Sequence, residues 1–114
     1  MTHEDVSRYA DMFAAMGAEP RLRIMRALLK AHPQGRVVGE LQAELGIAAS
    51  TLSHHLEKLR HEELVGVVRE GTFLRYRANT DTLRELLAFL YTECCAGAGV
   101  APPEGMVRIV RKTR

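Results

Sequence analysis

The sequence predicts a mainly α-helical domain carrying one β-hairpin. Two patterns point to it. Apolar residues recur at offsets of three and four through most of the 114 residues, each such stretch closed by Gly, Pro or a polar turn. Only after Val65 does the period change: Val65, Val67 and Val68 precede Glu70-Gly71, and Phe73, Leu74 and Tyr76 follow among Arg75 and Arg77. An apolar content of 46% is enough for one small core, so no second globular domain is required.

Taken in order, Asp5 to Met16 places Val6, Tyr9, Ala10, Phe13 and Met16 on one stripe of a first helix that stops at Gly17. Pro20 suits the first residue of a second helix, with Leu22, Ile24, Met25, Leu28 and Leu29 as its buried face, and His32-Pro33-Gln34-Gly35 ends it. Met12, Met16 and Met25 read as core filler. Val37 to Leu45 forms a short third helix with Val38, Leu41 and Leu45 inward, and Gly46 is its stop. Ile47-Ala48-Ala49 then makes a tight link to a fourth helix capped by Ala49 or Ser50. Asn79 and Thr80 offer caps for a last helix running to about Cys95, striped by Leu83, Leu86, Leu87, Leu90, Tyr91 and Cys94.

A short helix, a Gly-containing turn and a second helix starting near Ser50 have helix-turn-helix spacing. In the stretch AASTLSHHLEKLRHEEL, Leu52, Leu56, Leu59 and Leu64 fix one face to a core. The other face offers Ser50, Thr51, Ser53, His54, His55 and Lys58, short donors and a cation of the kind that reads base edges and phosphates in a major groove. The following hairpin reads as a wing, with Arg69, Arg75 and Arg77 placed for the DNA backbone or a minor groove. Net charge is only +2. From residue 36 to 78 the six cations at 36, 58, 60, 69, 75 and 77 are matched by six acids at 40, 44, 57, 62, 63 and 70, so DNA binding is argued from arrangement rather than from a basic field. His54, His55 and His61 could be imagined as metal ligands, but neighbours on a helix diverge and DNA contact is the better reading.

The phrases PRLRIMRALL, STLSHHLEKLRHEELV and REGTFLRYRAN, in this order of elements, closely resemble the ArsR/SmtB family of metal-sensing repressors. The resemblance spans about Phe13 to Cys95 and implies a winged helix-turn-helix, α-α-α-α-β-β-α. It further implies a protein that sits on an operator until an inducer releases it. The family's DNA contacts fall here on Ser50, Thr51, Ser53, His54 and His55, with wing support from Arg75. The surplus apolar surface of the first and last helices predicts a homodimer formed through them, its two recognition helices facing an inverted repeat.

The family's inducer sites are partly missing. Val38-Gly39-Glu40-Leu41 stands where some members carry a Cys-x-Cys, and no His follows His61 to complete a zinc site with Asp81 on the last helix. What remains is TECCAGAG, similar to the Cys-Cys pair of an arsenite-responsive branch, with Ala101, Pro102 and Pro103 in place of that branch's third cysteine. The expected inducer is therefore As(III) or a trivalent organoarsenical on Cys94 and Cys95, an external thiol completing the shell where one is needed. Thiol oxidation ranks lower, because a disulfide between adjacent residues is a strained ring, and a winged-helix repressor that answers another non-metal signal, or none, is the remaining alternative.

An enzyme is not expected, and neither is a catalytic cofactor. A small thiol oxidoreductase would want Cys-x-x-Cys beside a βαβ unit, and no nucleophile–base constellation or phosphate loop occurs. No apolar run is long enough to span a membrane, and Glu4 and Asp5 stand where a signal peptide would carry cations, so a cytoplasmic protein is expected. Residues 1–96 form the expected DNA-binding and dimerisation domain. Residues 97–114 form a Gly/Pro-rich segment and then a basic tail, expected to be flexible.

Overall fold

The structure, a computed structural model, describes residues 2–94. Cys95 and the expected tail at 97–114 lie outside them. The described residues divide into two units, 2–79 and 80–94.

The first unit holds four helices and a small sheet. Helix α1 (His3–Met16) starts two residues before the expected Asp5 because Thr2 and Asp5 form a reciprocal capping box, each side chain bonded to the other's amide at 3.1 Å. Helix α2 (Glu19–Lys30) carries Pro20 in its first turn. Strand β1 (Arg36–Val37) follows, then α3 (Val38–Leu45), whose first turn is closed by Glu40 accepting the Val37 amide at 2.9 Å. Gly46 ends α3 in the left-handed conformation (φ 67°), donating its amide to Gln42 at 2.9 Å. Helix α4 (Ala49–His61) and the hairpin β2 (Val65–Glu70) and β3 (Phe73–Ala78) complete the unit.

The hairpin pairs Glu70 with Phe73, leaving the two-residue turn Gly71-Thr72 with Gly71 at φ 63°. Strand β1 also pairs with β3, Arg36 against Tyr76 and Val37 against Arg75, so the sheet has three antiparallel strands in the order β1-β3-β2. The sequence reading has only the hairpin, since two residues are too few to show a period.

The core gathers Met12 and Ala15 of α1, Ile24, Met25, Ala27 and Leu28 of α2, Leu41 of α3, Leu52, Leu56 and Leu59 of α4, and Leu64, Val65, Tyr76 and Ala78. Helix α2 packs on α1, α3, α4 and β3, and α4 packs on α1, α3 and β2. Two expected faces are displaced. On α1 the buried residues are Met12 and Ala15, whereas Val6 and Phe13 stay exposed; on α2 Leu22, 56% exposed, and Leu29 lie outside, and Ala27 takes an inward position. Small residues make the close helix contacts, and a pattern that scores bulk overlooks them.

The α4–β2 corner is a Schellman motif. The Glu63 amide donates to Arg60 at 2.9 Å and the Leu64 amide to Leu59 at 3.0 Å, with Glu63 at φ 61°. Leu59 and Leu64 are both fully buried, and Asn79 fastens the corner by donating its side chain to the Glu63 carbonyl at 3.0 Å and its amide to Leu64 at 2.9 Å.

In the second unit, α5 (Thr80–Cys94) buries Thr82, Leu86 and Ala88, while Leu87 and Leu90 remain exposed. The expected single stripe is thus split: Leu86 is inside, and Leu87, Leu90 and Cys94 share the exposed side at offsets of three and four.

Candidate nucleic-acid interface

Helix α4 is held by Leu52, Leu56 and Leu59, none of which has any exposed surface. Burying each contributes about 1.5–3 kcal/mol, which pins the helix and decides which residues look outward. At 100° per residue, Ser50, His54, Lys58 and His61 fall on the strip opposite the leucines, with Thr51 and His55 on one shoulder and Ser53 and Glu57 on the other. Ser50, Thr51, Ser53, His54 and Lys58 are exposed and His55 is half-buried. The structure therefore brings the expected α4 residues together on one surface.

The helix begins one residue earlier than expected. Ala48 is the N-cap, in place of Ala49 or Ser50, and it contributes no side-chain bond; the first intrahelical bond runs from the Leu52 amide to the Ala48 carbonyl at 2.8 Å. The amides of residues 49–51 are thus the helix's orphan donors, carrying the positive end of its dipole. The Ser50 and Thr51 hydroxyls lie inside the first turn instead of capping it. Donor amides and hydroxyls at one exposed helix end suit a phosphate oxygen.

The one carboxylate on this surface is neutralised locally. Arg60 grips Glu57 through Nε and Nη2, and that hydrogen bond, with the charge behind it, lowers the Glu57 pKa. On the Thr51 shoulder, Arg21 Nη1 lies 3.4 Å from His55 Nδ1. His55 is held below its ordinary value of 6.5, by burial first and then by Arg21, His54 and Lys58. Beside this surface α1, α2 and α4 enclose an open cleft of about 540 Å³, lined by Asp11, Ala14, Ala15, Arg21, His54, Glu57, Lys58, His61 and Glu62.

In the wing, Arg75 is half-buried, paired with Glu70 at 2.9 Å and directed at the Gln34 carbonyl at 3.5 Å; Arg77 donates to the same carbonyl at 3.3 Å. Both arginines therefore tie the hairpin to the loop after α2; the charge of Arg75 is matched by Glu70, and Arg77 is exposed. Phe73, beside the turn, is 63% exposed. From the sequence, Arg21 reads with Arg23, Arg26 and Lys30 as a solvated face of α2 with one or two cations in reach of phosphate; its contact with His55 on α4 is made only by folding.

Cys94 is the last residue of α5 and is exposed; its expected companion Cys95 lies outside the described residues. Among the described residues, no three His, Cys, Asp or Glu side chains gather where they could hold a metal ion, and no helix is long and apolar enough to cross a membrane.

Known proteins match this architecture. Residues 19–67 match the family described as "Bacterial regulatory protein, arsR family". The chain is 34% identical over 88 residues to the nodulation protein NolR of Rhizobium meliloti, covering 77% of this chain and 70% of that protein. The crystal structure of NolR from Sinorhizobium fredii superposes with a TM-score of 0.64 at 32% identity, covering 81% of this chain and 89% of the other. An ArsR-like transcriptional regulator from Rhodococcus sp. RHA1 superposes with a TM-score of 0.69 at 25% identity, covering 96% and 93%. The fold is accordingly a winged helix-turn-helix, and the relatives are regulators of transcription, not enzymes. The chain belongs to the arsR family of bacterial regulatory proteins.

Proposed function

We propose that this regulator is a repressor that binds an inverted-repeat operator as a homodimer and is released when a trivalent arsenical binds Cys94 and Cys95. The observation that carries the DNA-binding half is α4: three leucines with no exposed surface on one side, and Ser50, His54 and Lys58 flanked by Thr51, Ser53 and His55 on the other. Lys58 and the amides at residues 49–51 take phosphates, the hydroxyls and imidazoles take base edges, and Arg75 and Arg77 add backbone contacts from the wing. Exposed Val6 and Phe13 on α1, and Leu87 and Leu90 on α5, supply the apolar surface for pairing with a second copy.

For the inducer, two thiols adjacent in sequence, the first of them on the last residue of α5, select a soft, thiophilic ligand. Residues i and i+1 of an α-helix point about 100° apart, so holding one atom with both sulfurs requires the backbone at Cys94 to leave helical geometry. Cys94 lies on the same side of α5 as Leu87 and Leu90, and unwinding there repacks the pairing surface and resets the separation of the two α4 helices. As(III) itself takes a third thiolate from outside the pair. Such a repressor acts in the cytoplasm, where both thiols stay reduced.

The experiment is fluorescence anisotropy of duplexes selected from a random-sequence pool by the full chain, in reducing buffer at fixed salt. Arsenite and then phenylarsenite are titrated in. Release at stoichiometric arsenical, abolished in Cys94→Ser and in Cys95→Ser, supports the whole reading. Tight binding that no arsenical disturbs leaves the repressor and removes its inducer.

A further inference from the structure

Arg21 belongs to α2, yet it makes its contacts on two other helices. Its Nε donates to the Ala15 carbonyl at 2.5 Å, and its Nη1 lies 3.4 Å from His55 Nδ1. Ala15 is in the last turn of α1, where carbonyls lack intrahelical partners and the dipole favours a cation, and that turn has no basic residue of its own. The guanidinium is therefore seated on α1 before it meets α4. An arginine only donates. A hydrogen bond between the two therefore has His55 Nδ1 as its acceptor, which leaves the ring neutral with its proton on Nε2.

We propose that Arg21 is a positioning residue for DNA recognition, fixing His55 as the Nε2–H tautomer so that α4 offers the operator a hydrogen-bond donor, and never an acceptor, at this ring. A fixed donor suits purine N7, guanine O6, thymine O4 or a phosphate oxygen, and it rejects the amino groups of adenine and cytosine. Without Arg21 the ring is able to exchange tautomers and to meet either kind of partner. The direction of the His55 pKa, held low by burial and by Arg21, agrees with a neutral ring. This inference rests on the DNA-binding reading above.

Two measurements test it separately. In the full chain labelled with ¹⁵N, long-range proton–nitrogen correlations through the imidazole report the tautomer without any DNA. His55 is expected in the Nε2–H form at pH 7.5, and Arg21→Gln is expected to yield a mixture; an Nδ1–H or protonated ring in the wild type overturns the proposal. The second measurement is affinity for the selected duplex. His55→Gln, whose amide donates from the Nε2 position, should bind within about threefold of wild type, and His55→Asn about tenfold more weakly. Arg21→Gln should cost about tenfold alone but less than twofold in the His55→Asn background. An equal cost in both backgrounds makes Arg21 merely structural and overturns the proposal.

Should Arg21→Gln fail to fold, Arg21→Met, which keeps the aliphatic stem and removes the donor, takes its place in both measurements. A His55→Asn penalty confined to one base pair among single-base duplex variants assigns the acceptor to a base edge; a uniform penalty assigns it to phosphate. If the wild type selects no duplex at all, the repressor reading falls and the recognition role with it, while the spectrum still judges the tautomer.

Discussion

Gly35 lies directly against the Tyr76 backbone: a Cβ built on Gly35 would stand 2.1 Å from the Tyr76 carbonyl oxygen and 2.6 Å from Arg77 Cγ. Its φ of 74° is also one that side chains rarely adopt. The loop after α2 can therefore meet the wing strand only through a residue without a side chain. Gly35→Ala should cost about 4 kcal/mol or more, as a loss of the cooperative urea transition. Gly46→Ala, at φ 67° with open space around it, should cost only about 1 kcal/mol and serves as the control.

Glu63 presents the opposite case, a side chain at a position made for glycine. At φ 61° in the Schellman corner it carries left-handed strain of about 1 kcal/mol, and its ion pair with Arg8 spans 3.9 Å on the surface. Glu63→Gly should leave stability unchanged or raise it by up to about 1 kcal/mol in urea denaturation. A clear loss would mean that the side chain has a further role.

The pH dependence of stability carries a sign fixed by His55. Its folded pKa lies below 6.5, so between the two values the unfolded chain binds more protons than the folded one. The neutral ring's contribution is complete above pH 6.5 and is lost as pH falls from there toward the lowered value. The groups facing the ring are Arg21 from α2 and His54 and Lys58 on α4, all of which oppose its protonation. Thermal melts of the wild type should decline across this window more steeply than those of His55→Gln.

On DNA the α4 residues should separate by kind. Lys58→Ala should weaken binding to all duplexes alike and lower the slope of log affinity against log salt by about one per subunit. Ser50→Ala and Thr51→Ala should each cost about 1 kcal/mol with the salt slope unchanged, since a neutral donor releases no counterion.

The core should be least forgiving beneath that surface. Leu56→Ala empties a site with no exposed area, and it should cost about 2–5 kcal/mol in urea denaturation. Affinity measured well below the transition should also fall, because the helix loses its seat.

Much of this architecture was legible because it rests on local rules. Gly46 stops α3, the leucines of α4 keep helical spacing, and Glu70-Gly71 turns the hairpin; each is decided within a few residues. What escaped was decided at long range. Strand β1 exists only because β3 lies beside it, and Ala15 and Ala27 are buried because two helices approach closely there. The start of α4 at Ala49 follows from the chain's path out of Gly46, not from any capping side chain. Arg21 joins His55 across 34 positions, a relation that no window along the chain contains.

The short strand β1 also sets the mechanics of the wing. Its two residues brace β3 only at Arg75 and Tyr76, so from Leu74 to the turn and back to Arg69 the ribbon is paired on one side alone. Arg75 and Arg77 anchor the same root to Gln34. The hairpin is built as a cantilever, stiff where it leaves the body and compliant at Phe73. In the proposed operator complex its tip would follow a groove that widens or narrows with sequence while the strain stops short of α4.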